Sequence, residues 1–134
     1  MPLVTFELQM LGLSVVLGIV HIVAASHSAS LQRSYRWTAS ARDQPLTPLV
    51  GMAGRLARAL DNFLETFPFF AALVLAVAVA GKSGQLSEWG AGLYFAARVF
   101  YFPLYAFGVP LIRSLVWNVA TFGILLLIVA LLWL

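Results

Sequence analysis

The chain has 134 residues, 62% of them hydrophobic and 10% charged, with a formal net charge of +3. A soluble domain of this size cannot hide so much apolar surface, and a small integral membrane bundle is the natural alternative. The absence of cysteine excludes a disulfide scaffold, a thiolate metal site and a protein thiol nucleophile, and the dispersed basic residues form no stripe for a nucleic acid.

A membrane span takes roughly 20 apolar residues, and four such windows follow one another, at about 6–25, 55–80, 89–107 and 114–134. Continuous apolar runs of this length exclude the alternating pattern of barrel strands, so the expected fold is all-α, a bundle of four transmembrane helices in one domain. The leading MPLVTFELQM has no basic segment and contains Glu7, which argues against a cleavable signal peptide. Glu7 and Gln9 fall at the outer edge of the first window and are expected to face water. His21 and His27 lie toward its other end without a second ligand at metal spacing. His21 is expected to hydrogen-bond across helices, and no metal is expected.

The first connection, about 26–54, carries Arg33, Arg36, Arg42 and Asp43, and its DQPLTPLVG reads as irregular chain. The second, GKSGQLSE, is a short turn, and the third is little more than Gly108 to Pro110. The excess of arginine in the first connection places it and the third on the cytoplasmic side of the membrane, with both termini outside. Trp89, Trp117 and Trp133 read as anchors at the membrane–water interfaces.

The second window opens with GRLARALDNFLETF, an unusually polar start for a span. Arg55, Arg58, Asn62 and Glu65 sit at i, i+3, i+7 and i+10, which keeps them on one stripe, with Asp61 beside it. Counted from Arg55 at 1.5 Å per residue, Asn62 lies ~10 Å and Glu65 ~15 Å into the membrane. On the third helix, running the other way, Tyr105, Tyr101 and Arg98 lie ~4, ~10 and ~15 Å from Gly108 by the same rise. Pro103 between the tyrosines is expected to kink this helix. The fourth helix opens with Arg113 and Ser114 at the same face. Charged groups at this depth seldom face lipid, so the expected arrangement is a polar pocket open to the arginine-rich side, with a Glu65–Arg98 pair at its floor.

Several arginines call for carboxylates on a ligand, because guanidinium and carboxylate make a bidentate fork. Glu65 calls for an ammonium or amide donor. A small zwitterion with more than one carboxylate meets both demands. Glutathione is such a molecule, and it brings the thiol that the chain lacks.

Read together, Arg55-x-x-Arg58-Ala59-x-x-Asn62-x-x-Glu65-x-Phe67-Pro68, Arg98-x-x-Tyr101-x-x-x-Tyr105 and Arg113-Ser114 resemble the MAPEG family, membrane-associated proteins in eicosanoid and glutathione metabolism. The likeness is greatest to the leukotriene C4 synthase and microsomal glutathione transferase branch, and RWTASARDQPL in the first connection is most similar to bacterial members. The resemblance implies a homotrimer in a membrane, such as a bacterial inner membrane, with glutathione held between neighbouring subunits near the cytoplasmic face. Arg58, Asn62, Glu65, Arg98, Tyr101 and Tyr105 would hold it, joined by Arg33 or Arg36 from the end of the first helix. Arg113 would activate the thiol, with Ser114 as a second candidate. The implied partners are membrane lipids and a hydrophobic electrophile or hydroperoxide that is conjugated or reduced. Two departures stand out: Asp61, where prostaglandin synthase-like members carry a basic residue, and the interval from Tyr105 to Arg113, which differs by about one residue between branches. Some members bind lipid without catalysis, so a non-catalytic lipid- or partner-binding scaffold is the alternative, and a subunit whose polar cluster is only an ion-pair lock is a third.

Overall fold

A computed structural model describes residues 4–133 of the chain. The regular elements among them are all helices: α1 (Phe6–Arg33), α2 (Tyr35–Ala39), α3 (Gly51–Val79), α4 (Gln85–Ala106) and α5 (Leu111–Trp133). By length and composition α1, α3 and α5 can each cross a membrane, which makes the chain an integral membrane protein. Helix α4 does not reach that apolar level: its 22 residues include Gln85, Glu88, Arg98 and three tyrosines. The last expected residue of the fourth helix, 134, lies outside the described residues.

Helix α1 is capped by Thr5, whose Oγ1 accepts from the Leu8 N–H at 3.3 Å. It runs eight residues past the expected end at residue 25, because AASHSASLQR holds neither glycine nor proline to stop it. The stop is Ser34, at φ 127° and ψ 149°, a backbone region that is almost wholly glycine's. Ser34 donates its N–H to Ser30 O at 2.8 Å and accepts from the Trp37 N–H at 3.1 Å, so α2 starts where α1 ends. The connection expected to be irregular from 26 is therefore irregular only from about residue 40. Even there it is tied to α1: the Gln32 side-chain amide donates to Val50 O at 2.7 Å and accepts from Val50 N at 3.1 Å, and Arg33 Nε donates to Thr47 O at 2.8 Å. Pro103 lies in the last turn of α4, and Pro68 lies inside α3.

Close backbone approach sets the helix crossings. A Cβ at Gly90 of α4 would sit 2.7 Å from Gly123 O of α5, and one at Gly123 would sit 2.6 Å from Gly90 O. These two glycines let α4 and α5 touch backbone to backbone, the arrangement small residues permit between membrane helices. Gly18 of α1 gives the same room to Phe63 of α3. The central core is Phe70 and Val74 of α3, Ala91, Tyr94 and Ala97 of α4, and Ala120 and Leu127 of α5. The Phe70 and Tyr94 rings stack with centroids 4.0 Å apart. The Tyr94 hydroxyl is satisfied by Thr66 Oγ1 at 3.0 Å, as a polar group in this core must be.

Two sequence expectations are overturned here. Glu7 does not face water but is 1% exposed. Its Oε1 accepts from Ser83 Oγ at 2.7 Å and is also bonded by Ser87 Oγ, so the carboxylate ties the start of α1 to the turn before α4. His21 does not hydrogen-bond across helices: neither ring nitrogen has a partner. The ring stacks on Phe63 with centroids 5.0 Å apart and meets Phe102 edge-on at 4.5 Å. In both cases the bundle interior reaches along α1 to positions that the hydropathy pattern does not mark as inward.

Gly123→Leu is expected to force α4 and α5 apart and to cost about 1–3 kcal/mol of stability, the usual range for overpacking. Glu7→Ala, which strips the buried Ser87 hydroxyl and the exposed Ser83 hydroxyl of their acceptor, should cost about 1–3 kcal/mol. Thermal unfolding in detergent reads both, and an unchanged melting temperature for Gly123→Leu would contradict the close crossing.

Candidate functional site

The stripe on α3 divides into two edges. At about 100° per residue, Asn62 lies about 20° round from Arg55, whereas Arg58 and Glu65 lie further round in the same direction, about 60° and 80° from Arg55. The structure follows this division: Arg55 and Asn62 are half-buried, Arg58 and Glu65 exposed. Arg55 Nε donates to Ala106 O at 2.7 Å, placing a cation on the C-terminal end of α4, where the helix dipole favours it. Asn62 Oδ1 accepts from Arg98 Nη1 at 2.8 Å.

The expected Glu65–Arg98 pair is therefore replaced by an Asn62–Arg98 hydrogen bond. Equal depth is not enough for contact: Glu65 is exposed on its helix, and Asn62, one turn earlier, takes the place beside Arg98. Arg98 itself is 0% exposed. Its guanidinium carbon lies 4.3 Å from the Tyr101 ring centroid and 5.4 Å from that of Phe63, a cation–π setting that offsets part of the desolvation cost, by about 2 kcal/mol when dry. Its Nε and Nη2 have no hydrogen-bond partner. A buried guanidinium with no acid beside it and two idle N–H donors is an anion site in waiting.

Beside Asn62 and Tyr101, the two contacts of Arg98, opens a cavity of about 280 Å³ where α3, α4 and α5 meet; Arg98 itself lies behind its lining. Asn62, Tyr101, Tyr105, Arg113 and Ser114 line it, five of the residues singled out in the sequence. The Arg113 guanidinium carbon stands 4.5 Å from the Tyr105 ring centroid, and the Tyr101 and Tyr105 rings meet edge to face at 5.6 Å. These contacts fix the charge of Arg113 over the cavity mouth. Two further lining residues escaped the sequence reading, Trp117 and Asn118. Trp117 is half-buried and lines the cavity, and its indole Nε1 is buried without a partner, a third idle donor nitrogen at this site. The signal was present in the spacing, since Trp117 and Asn118 follow Arg113 and Ser114 at i+4 and share their face.

Other candidates lie apart. Arg58 and Glu65 flank the cavity residues on the exposed side of α3. Arg33 is committed to Thr47 O and to the Trp37 ring, 5.3 Å from its guanidinium carbon, and Arg36 lines a different cavity beside α2. Asp61 is exposed. Among the described residues no group of three His, Cys, Asp or Glu side chains is placed to hold a metal.

If the Arg98 charge is kept for a ligand and not for folding, Arg98→Met should leave the melting temperature of the ligand-free protein unchanged or raise it, because an apolar side chain of similar length removes idle buried donors. A marked fall would mean that Arg98 holds the bundle together.

Neither a curated protein nor a solved structure matches the chain. A polar cavity at one end of an apolar helical bundle, built on the stripes of α3 and α4 and the first turn of α5, falls wholly within the region that a family model does match, residues 10–133: the chain belongs to the MAPEG family.

Proposed function

We propose that the chain is a glutathione-dependent membrane enzyme that conjugates lipophilic electrophiles or reduces lipophilic hydroperoxides. The observation that carries this reading is the set of donor-bearing side chains lining the cavity, Arg113, Trp117, Tyr101, Tyr105 and Ser114, with the buried Arg98 guanidinium behind two of the lining residues, Asn62 and Tyr101. Such a set fits a small ligand with carboxylates. When bound, glutathione supplies the thiol that a cysteine-free chain cannot.

Arg98 and the tyrosines would bind and orient the peptide, and Glu65 would accept from its ammonium group. The Arg113 guanidinium can hold positive charge beside an anionic sulfur and lower the cost of the thiolate. Ser114, one residue on, can donate a hydrogen bond to the same atom. An apolar substrate would approach from the membrane, with its tail left in hydrocarbon.

The exposure of Arg58 and Glu65 supports a site completed by a second copy of the chain. Two ligand-binding side chains that face out of the subunit are useful when a neighbour closes over them, and a homotrimer with glutathione at each interface satisfies that need. In this reading α4 is a fourth span, its polar groups turned inward, and the arginine-bearing end faces the cytoplasm with both termini outside.

Glutathione at a hundred times its dissociation constant should stabilise the detergent-solubilised protein by about 2.7 kcal/mol. Arg58→Ala and Glu65→Gln should each remove most of the resulting rise in melting temperature; no rise with the native chain would overturn the assignment of the cavity. In stopped-flow mixing with glutathione, the ultraviolet absorbance of the thiolate should be lost in Arg113→Ala. A signal kept in that variant but lost in Ser114→Ala would transfer the activating role to the hydroxyl. Binding without turnover of any electrophile or hydroperoxide would leave the non-catalytic scaffold as the function.

A further inference from the structure

The connection after α1 carries a second polar cavity that the glutathione reading does not use. It measures about 420 Å³ and is lined by Ser34, Arg36, Trp37, Ser40, Arg42 and Asp43 among others. Its charge is held in place. Arg42 donates from Nε and Nη2 to Thr38 O at 3.1 and 3.0 Å, and its guanidinium carbon lies 5.4 Å from the Trp37 ring centroid. Its Nη1 remains over, and Arg36 is exposed beside it. Asp43 brings one negative charge to the same cavity.

The chain on either side of the cavity residues is apolar and exposed: Leu31 and Tyr35 before or among them are 76% and 50% exposed, and Leu46 and Val50 after them are 62% and 68% exposed. The segment follows directly on the end of a membrane-spanning helix and is tied back to it through Gln32 and Arg33, a position where aromatic and basic residues sit at the level of lipid headgroups. A water-filled site for a free metabolite has no use for such a flank, whereas the acyl chains of a lipid do.

We propose that this cavity is a headgroup site for a zwitterionic aminophospholipid, with Arg36 and Arg42 holding the phosphate and Asp43 the primary ammonium. Guanidinium is suited to phosphate oxygens. An anionic lipid without a cation leaves Asp43 facing like charge. A quaternary ammonium has no N–H to offer the carboxylate, whereas a primary ammonium has three. Arg36 is thereby assigned to lipid and not to the thiol peptide, a role the resemblance had left to Arg33 or Arg36.

The test is native mass spectrometry of the full chain released from nanodiscs made of equal parts phosphatidylethanolamine, phosphatidylglycerol and phosphatidylcholine. Phosphatidylethanolamine is expected to remain bound in preference to the other two. The double variant Arg36→Gln/Arg42→Gln should lower its retention by about tenfold, the scale of a lost charge-assisted contact, with helical circular dichroism as the check on folding. Asp43→Asn, which leaves the arginines in place, should erase the preference for the ethanolamine lipid and raise retention of phosphatidylglycerol. Equal retention of all three lipids by the native chain, or a preference unmoved by Asp43→Asn, overturns the proposal. Displacement of the lipid by water-soluble glycerophosphoethanolamine at comparable concentration would assign the site to a free phosphoester instead.

Discussion

The candidate site is arranged around one buried charge that has no acid beside it. Arg98 sits fully inside an apolar bundle with Asn62 as its hydrogen-bond partner and aromatic rings on its flanks. A carboxylate at its side would have made a structural ion pair, closed and inert. An amide carbonyl carries only a partial charge and leaves the guanidinium able to attract an anion. The cost of keeping that charge in a low-dielectric interior is spread over Tyr101 and Phe63, and through Tyr101 it reaches Tyr105 and Arg113. The cavity is the mouth of this chain of contacts.

The same helix pitch that keeps Glu65 from Arg98 gives the subunit its outward-facing acid and arginine. A stripe of four polar residues over ten positions does not run straight up an α-helix; it drifts, because successive steps of three and four residues do not close a turn. Arg55 and Asn62 remain against α4, and Arg58 and Glu65 pass to the outer surface. One half of the stripe builds the subunit and the other is left for something beyond it. The proposed trimer and the proposed ligand both draw on this division.

At the ends of the bundle, polar side chains act as ties. Arg55 holds the end of α4, Lys82 donates to Leu131 O at 2.9 Å near the end of α5, and Glu7 holds the turn between α3 and α4. Each places a charged or hydroxyl group on an otherwise orphaned partner, as a membrane bundle requires where its helices stop. The turn at Ser34 differs, since it redirects the chain into α2 and so creates the basic cavity beside Trp37.

The sequence by itself determined the fold class, the number of long helices and the order of the polar side chains along each helix, because hydropathy and a fixed rise per residue are properties of the chain alone. It set Asn62 level with Tyr101 and put Tyr105, Arg113 and Ser114 nearer the same end, and these five side chains line one cavity. It could not determine azimuth between helices. Which side of α3 faces α4, whether Trp117 points to lipid or to the cavity, and that Glu7 and His21 lie inside depend on crossing angles. Those angles are set by contacts such as Gly90 against Gly123 that leave no periodic mark in the sequence. Tertiary structure therefore decided the partners: Arg98 with Asn62 and not Glu65, Glu7 with two serines and not water.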